Sequence, residues 1–390
     1  MALSKIDVAN MLTGVTPVAN GGTAATTLAG AGLQRPLSKP IITNGDMAVS
    51  QRTTSTAGVT STAYGACDRM QLVNNTMGTY TVIQESLTSG AAYEAGFHNA
   101  WRIDCTTADS SPAAGDVLYP RYKIESQDLS MFKKGTSEAE AFTIAFWVKS
   151  NKTGNAQVNF YDIDNTRLCA GTYTISSANT WEHKVINIAA DTTGAWADDN
   201  GEGLRIEWRL DSGSNSTSGT TPTAWEAAAA GDRDVAGQLQ IARSTDNDWA
   251  ITGIQLEVGT YTSATLPPFQ HEDSGDNLAR CQRYFYLNNT VSASMPFASG
   301  VVNGTTNSRA VMRHPQPMRA PPTMGRSDNT HFKVYCGSTN VDSTNVAFYY
   351  PNNYQALLYV DVSSGLTNGQ GCVIIDDSGG NAYIQGDAEL

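Results

Sequence analysis

The sequence predicts an all-β chain: a two-sheet antiparallel sandwich, a second small C-terminal β domain and an extended N-terminal arm. Three observations predict it. Short segments alternate apolar and polar residues with the two-residue period of a strand. Clusters of Gly, Asn, Asp and Ser separate these segments, and no run of amphipathic helices intervenes. Composition agrees, because charged residues make up only 16% of the 390-residue chain and 35 residues are Gly, whereas an ordinary soluble domain is roughly 25% charged. The length favours more than one domain.

Residues 1–40 join a short apolar patch (Ile6, Val8, Met11, Leu12) to a run rich in Gly, Ala and Thr. Such a segment cannot bury a core by itself, so it reads as an arm that gains order on a partner chain. Residues 41–272 carry the sandwich. LRIEWRL (204–210) alternates Leu204, Ile206, Trp208 and Leu210 with Arg205, Glu207 and Arg209, which is a strand with one core face and one wet face. FTIAFWVK (142–149) sets Phe142, Ile144, Phe146 and Val148 on one face and Trp147 on the other, so that strand is covered on both sides. Further strands are expected at 80–85, 99–105, 122–125, 157–162, 183–189, 237–242 and 251–258.

Residues 273–286 (DSGDNLARCQRYFY) read as a helical connector, with Asp273 and Ser274 as capping residues and Leu278, Cys281 and Phe285 on one stripe. Residues 287–390 return to strands in KVYCG, VAFYYP, ALLYVDV and GCVIIDD. The proline-rich HPQPMRAPPTMG (314–325) suits an edge or an extended crossing.

Charge narrows the function. The chain carries 25 basic and 37 acidic residues, a net −12, and no window gathers Lys and Arg into a stripe. Nucleic acid is disfavoured, since phosphate neutralisation supplies most of that affinity, and an anionic membrane surface would repel the chain. No apolar run is long enough to span a bilayer, and the start lacks the apolar core of a signal peptide, so neither membrane insertion nor export by a leader of its own is expected. The six cysteines (Cys67, Cys105, Cys169, Cys281, Cys336, Cys372) are widely spaced without a CxxC pair and read as reduced, mostly buried thiols.

No G-x-S-x-G elbow, H-E-x-x-H or P-loop occurs, and the histidines are dispersed. Glycan cleavage needs two carboxylates about 5–10 Å apart. Pairs such as Asp162 with Asp164, or Glu202 with Glu207, fall in turn or solvent-face contexts, so no catalytic residue is assigned and no enzymatic activity is expected.

Sugar rings present apolar C–H faces that stack on aromatic rings while polar side chains hold their hydroxyls. Trp181, Trp196, Trp225 and Trp249 lie at strand starts or in loops beside short polar residues and are the candidate glycan-binding residues; the other reading is that each plugs an end of the sandwich. Trp101, Trp147 and Trp208 sit within strands and read as core. DTTGAWADDNGEG (191–203) gathers Asp191, Asp198, Asp199, Asn200 and Glu202, oxygen donors of the kind calcium prefers; the other reading is a solvated acidic loop. No other cofactor is expected.

The series NGDMAVSQRTTS (44–55), YGACDRM (64–70), FTIAFWVKSNKTG (142–154), DTTGAWADDNGEGL (191–204) and WAITGIQLEVGTYTSATLPPFQHEDSGDNLARCQRYFY (249–286), followed by MRAPPT, resembles a family of tail-fibre proteins of tailed phages. Where that family often has an aromatic residue before Gln51 and Arg52, this chain has Ser50. Residues 16–33 are similar to a Gly/Ala/Thr segment found near the N-termini of phage fibre proteins. The resemblance implies a carbohydrate-binding-module-like jelly roll, which often holds a structural calcium, within a virion appendage assembled as a homotrimer. It further implies that residues 1–40 dock on other tail or head proteins, and that the partner outside is a host surface glycan. A purely structural capsid or tail decoration protein is the alternative, and a glycan-cleaving tailspike depolymerase is a further one.

Overall fold

The computed structural model describes residues 39–390; the arm expected over residues 1–40 lies, but for its last two residues, outside them. The fold is all-β, in two units. The first contains strands β1 (Ser55–Tyr64), β2 (Gln71–Ser86), β3 (Asn99–Thr107), β4 (Val117–Glu125), β5 (Phe142–Ser150), β6 (Gly154–Asp162), β7 (Arg167–Ile175), β8 (Glu182–Ile188), β9 (Glu202–Arg209), β10 (Asp211–Ser212), β11 (Glu226–Ala227) and β12 (Asp248–Val258), with a single helical turn α1 (Ala91–Glu94) after β2. They pair in the order β11-β7-β6-β9-β4-β2-β3-β12-β5-β8, with β1 added to β2 and β10 to β4.

This one path of strands folds over to make both layers of a sandwich. Phe146 of β5 meets Tyr173 of β7 edge to face at 5.2 Å and Trp208 of β9 at 6.0 Å, so strands far apart in the path face one another across the core. β2 is the fold line. Its Gln71–Asn75 segment pairs with β4 and its Thr79–Ser86 segment with β3. Between them Thr76 and Gly78 take left-handed φ values of 59° and 78°. A Cβ at Gly78 would stand 2.2 Å from the Thr107 carbonyl oxygen, so only glycine fits this bend.

The alternation read from the sequence sets the core. Phe142, Ile144, Phe146 and Val148 of β5 and Leu204, Ile206 and Trp208 of β9 are all buried, each contributing about 1.5–3 kcal/mol relative to exposure. Trp101 and Trp208 are core as expected, whereas Trp147 is only partly buried and stacks on His183, ring centroids 5.0 Å apart. GQLQIA (237–242) departs from the expected strand: Gln240 adopts a left-handed φ of 58° and a 3-10 turn follows at Ile241–Arg243. Its Leu239 and Ile241 still plug the core, so burial persists without a ladder. All six cysteines are buried and free.

Helix α2 (Ser274–Gln282) is capped by Asp273, whose carboxylate accepts from the Gly275 and Asp276 amides at 2.9 and 3.0 Å. It ends sooner than expected: Phe285 and Tyr286 begin strand β13 (Phe285–Asn289), and Leu278 is exposed while Cys281 is buried. Then come β14 (Pro296–Val302), β15 (Asn307–Arg313), β16 (Thr323–Arg326), β17 (Phe332–Cys336), β18 (Thr339–Tyr349), β19 (Gln355–Val362), β20 (Gly371–Asp376) and β21 (Tyr383–Asp387). Six of these close a barrel in the order β14-β15-β19-β18-β17-β20, and β13-β21-β16 form a small sheet beside it. This unit has its own core, including Val302, Phe332, Val334, Leu358, Val360 and Ile374.

The units meet at a charge cluster that is buried at Arg69, Glu125 and Glu389 and partly exposed at Arg283 and Asp387. Glu389, following β21, is ion-paired with Arg69 and lies 3.4 Å from Arg52; Asp387 pairs with Arg52 at 3.1 Å. From the other direction Arg283 forks onto Glu125 at 2.9 and 2.7 Å, and the Tyr284 hydroxyl donates to the same carboxylate at 2.6 Å. Arg69 also lies over the Tyr284 ring and Arg52 over the Phe285 ring, at 3.4 and 3.6 Å. Burying such charges costs heavily unless each is paired, and here each is.

Candidate ligand-binding face

The four tryptophans singled out in the sequence do not share a surface. Trp249 stands one residue inside β12, is fully buried, and packs edge to face on Trp101 at 6.4 Å. The sandwich core therefore claims it, and it is no surface residue. Trp181 is buried in a satellite cluster with Leu87, Phe97 and Ala250, with Lys149 Nζ 5.1 Å from its ring centroid. Trp196 and Trp225 are partly buried and flank one lysine: Lys134 Nζ lies 5.5 and 5.7 Å from their ring centroids. Trp225 is further fixed by its Nε1, which donates to the Ala189 carbonyl at 2.8 Å. Trp196 borders a cleft of about 150 Å³ with Leu129, Lys133, Lys134 and Asp198.

Lys134 explains the acidic loop. Its ammonium, 2% exposed, pairs with Asp162 at 2.6 Å and Asp191 at 3.2 Å and donates to the Thr193 and Gly194 carbonyls at 2.8 and 2.5 Å. Asp191 also receives a two-point bond from Arg167 at 2.8 and 3.1 Å. Burial pushes the Asp191 carboxyl up, but the bonds from Arg167, the Thr193 amide and Lys134 outweigh it and hold the group below the usual carboxylate range.

The remaining donors point elsewhere. Asp198 is exposed; Asp199 accepts from the Gly201 amide; Asn200 bonds Arg319 of the second unit at 2.6 Å; Glu202 pairs with Arg205 at 2.6 Å. Among the described residues no group of three or more His, Cys, Asp and Glu side chains is placed to hold a metal. Asp191, Asp198, Asp199, Asn200 and Glu202 thus do not fit a calcium ion, because two are bound to cations and the others are spread along the loop. Asp162 and Glu207 likewise depart from the solvated settings expected for them. Asp162 is fully buried against Lys134, and Glu207 is fully buried on the sheet.

What the fold does assemble is the outer face of β6, β9 and β4, opposite the core. Register places Tyr161 beside Arg205 and Lys123, and Asn159 beside Glu207 and Arg121, with Gln71 of β2 completing that row. Next to them Arg209 pairs with Gln157 and lies 4.1 Å over the Tyr119 ring. The segment after β10 folds back over one edge, where the carbonyls of Asp232 and Arg233 accept from Gln157 and Asn159 at 2.8 Å each. That return delivers the Arg233 guanidinium to the Tyr161 ring at 4.5 Å, with Arg205 at 5.7 Å.

The floor of this face (Gln157, Asn159, Glu207, Arg209) is buried, and its partly exposed rim is Arg121, Tyr161, Arg205 and Arg233. Lys123, beside the rim, titrates down to about 8, from burial first and then from Arg121 and Arg205, against the opposing pull of Glu202. Asp234, behind Arg209, is pushed up to about 6 by burial. Planar guanidinium and amide groups around an aromatic ring are suited to hold a ring-shaped polar ligand: the ring stacks and the forks bond its edge. A larger groove of about 480 Å³ runs between edge strands β7 and β8, lined by Tyr173, His183, Asn187 and Tyr261, but Tyr173 there is buried.

The face draws on four strands and a loop that are distant in sequence, so only strand pairing together with the return of that loop brings it together. One signal was present: the wet faces of YPRYKIE and LRIEWRL each carry several charged residues, in a chain only 16% charged.

No family model and no curated protein matches the chain. Among solved structures it is similar to the enzymatically active domain of tailspike protein 4 of bacteriophage CBA120 (12% identity, TM-score 0.27, covering 56% of this chain and 21% of that one). It is also similar to the module TmCBM61 in complex with β-1,4-galactotriose (7%, 0.28, 57% and 99%). A third is a family 11 carbohydrate-binding module from Clostridium thermocellum in complex with a β-1,3-1,4-mixed-linked tetrasaccharide (9%, 0.25, 49% and 89%). At these scores the likenesses place no residue of this chain in a site; its structural neighbours are carbohydrate-binding modules and a tailspike domain.

Proposed function

We propose that the chain is a non-catalytic glycan-binding component of a phage virion appendage, a tail fibre that contributes to recognition of host surface saccharide. One observation carries the binding part: Tyr161, with the guanidiniums of Arg233 and Arg205 at 4.5 and 5.7 Å from its ring centroid, at the rim of a sheet face floored by amide and carboxylate groups. Binding rather than cleavage is favoured because Asp162 and Glu207 already face cations. The appendage setting and a homotrimeric assembly rest on the resemblance of the motif series and on the composition of residues 1–40, which would dock on other virion proteins.

Two measurements test this. The full chain, presented on a glycan array, is expected to retain host-type oligosaccharides without releasing reducing ends, and to sediment as a trimer. Absence of any saccharide binding, together with labelling of capsid or tail tube rather than fibre ends in tagged virions, would leave the structural decoration protein as the better reading.

A further inference from the structure

Charge on the β6-β9-β4 face runs against the charge of the whole protein. The chain has 37 acidic and 25 basic residues, yet this face gathers four guanidiniums (Arg121, Arg205, Arg209, Arg233) around three carboxylates (Glu202, Glu207, Asp234), while Lys123 beside them pairs with Glu202 and donates to the Leu390 oxygen.

The carboxylates do not saturate the guanidiniums. Strong charge-assisted N–H···O bonds run at about 2.7–2.9 Å. Glu207 instead lies 3.5 Å from Arg233, 3.6 Å from Arg209 and 3.8 Å from Arg205, and its nearest side-chain donor, Asn159, stands at 3.4 Å. Only the Arg205–Glu202 pair has a two-point bond, at 2.6 and 3.2 Å. Arg121 gives its Nε to the Gln71 side-chain oxygen and makes no ion pair among the described residues. Arg209, 1% exposed, has an Nε with no hydrogen-bond partner. A guanidinium carries five N–H donors in a fixed fork, so the face holds directed donors that its own acceptors leave unused.

We infer that this face binds a saccharide bearing a carboxylate, such as a uronic-acid-containing oligomer, with the sugar ring on Tyr161 and its carboxylate taken by Arg121 and Arg233. This rests on the glycan-binding reading above and names its ligand class. A carboxylate matches a guanidinium fork in two-point geometry, whereas a neutral sugar would leave the excess positive charge uncompensated.

The test uses the full chain and a panel of uronic-acid oligosaccharides, each paired with its methyl ester, which keeps the ring and removes the charge. A sulfated oligosaccharide of equal charge serves as the control for unspecific attraction. The acid form is expected to bind about tenfold or more tightly than its ester, the size of one lost charge-assisted bond, and to weaken as salt rises. Arg121→Gln should abolish most of that preference, and Arg121→Lys should keep part of it, with unchanged melting curves showing that both variants fold. Equal binding of acid and ester would overturn the carboxylate inference while leaving glycan binding intact. So would equal binding of the sulfated control. Failure of every saccharide, charged or not, would overturn the glycan reading as well.

Discussion

The two units differ in how many large aromatic side chains they leave exposed. In the sandwich Trp101, Trp208 and Trp249 are wholly buried, and the loop tryptophans Trp196 and Trp225 lean on the buried Lys134. On the barrel Tyr335, Tyr349, Tyr350 and Tyr354 are 45%, 46%, 79% and 68% exposed. The difference follows from core depth. Two stacked layers leave about 10 Å between them, enough for indole rings, whereas the narrow six-stranded barrel is filled by Phe332, Val334, Leu358, Val360 and Ile374 and turns Tyr335 and Tyr349 outward, with Tyr350 and Tyr354 in the loop after β18. On that wall Tyr349 meets Tyr359 at 4.5 Å, and Arg309 covers Tyr359 at 4.7 Å. An aromatic beside polar residues in the sequence is therefore not by itself a surface aromatic.

Substitutions can break this comparison. Trp249→Ala is expected to cost about 3–5 kcal/mol of stability, as for other large core truncations, and Tyr350→Ala to stay within about 0.5 kcal/mol; urea unfolding of both variants checks the contrast, and similar midpoints would refute it. Glu389→Ala is expected to cost about 3–5 kcal/mol, because it leaves Arg69, 2% exposed, without its carboxylate. Calorimetry of that variant should show a lowered transition, or a separation of the sandwich and barrel transitions. An unchanged trace would mean that the joint is not held by this cluster.

A smaller effect depends on pH. Asp234 is pushed up by burial to about 6, from an ordinary value of 3.8. A carboxyl raised in the folded state contributes stability that is complete below about pH 4 and is lost as pH rises through about 6. Asp234→Asn removes that loss. The stability of the variant relative to the parent should therefore rise between pH 4 and pH 7, by up to about 3 kcal/mol at ~1.4 kcal/mol per unit. A gap that stays flat across this range would show that Asp234 is ionised throughout.

Much of the fold was legible because alternation is a local signal. Phe142, Ile144, Phe146, Leu204, Ile206 and Trp208 declare their faces within single segments. β1 (STAGVTSTAY) and β7 (RLCAGTYTI) were missed because Thr, Ser and Gly give them no clear apolar face. Trp249 was misread because the Asp246-Asn247-Asp248 run before it looks like loop, while Asp248 already pairs with Asp104 of β3. Asp191 and Glu207 looked solvated because nothing in sequence brings Lys134 or Arg233 to them.

The motif series was legible as a pattern, and part of it encodes the joint between the units. Gln51 donates to the Phe285 carbonyl at 2.7 Å, and Arg52, Arg69 and Arg283 tie the units together. Arg319 reaches the carbonyls of Ala388 and Asn200 at 2.9 and 2.7 Å. Ser50 donates to the Thr53 carbonyl at 2.6 Å.

The most direct test of the central claim is saccharide binding by the full chain beside Tyr161→Ala and Tyr350→Ala, measured by titration calorimetry with the tightest ligand found on the array. The sandwich face predicts that Tyr161→Ala weakens binding about tenfold or more, from lost stacking worth ~1–2 kcal/mol, while Tyr350→Ala leaves it unchanged. Loss with Tyr350→Ala and none with Tyr161→Ala would contradict the claim and move the site to the barrel wall.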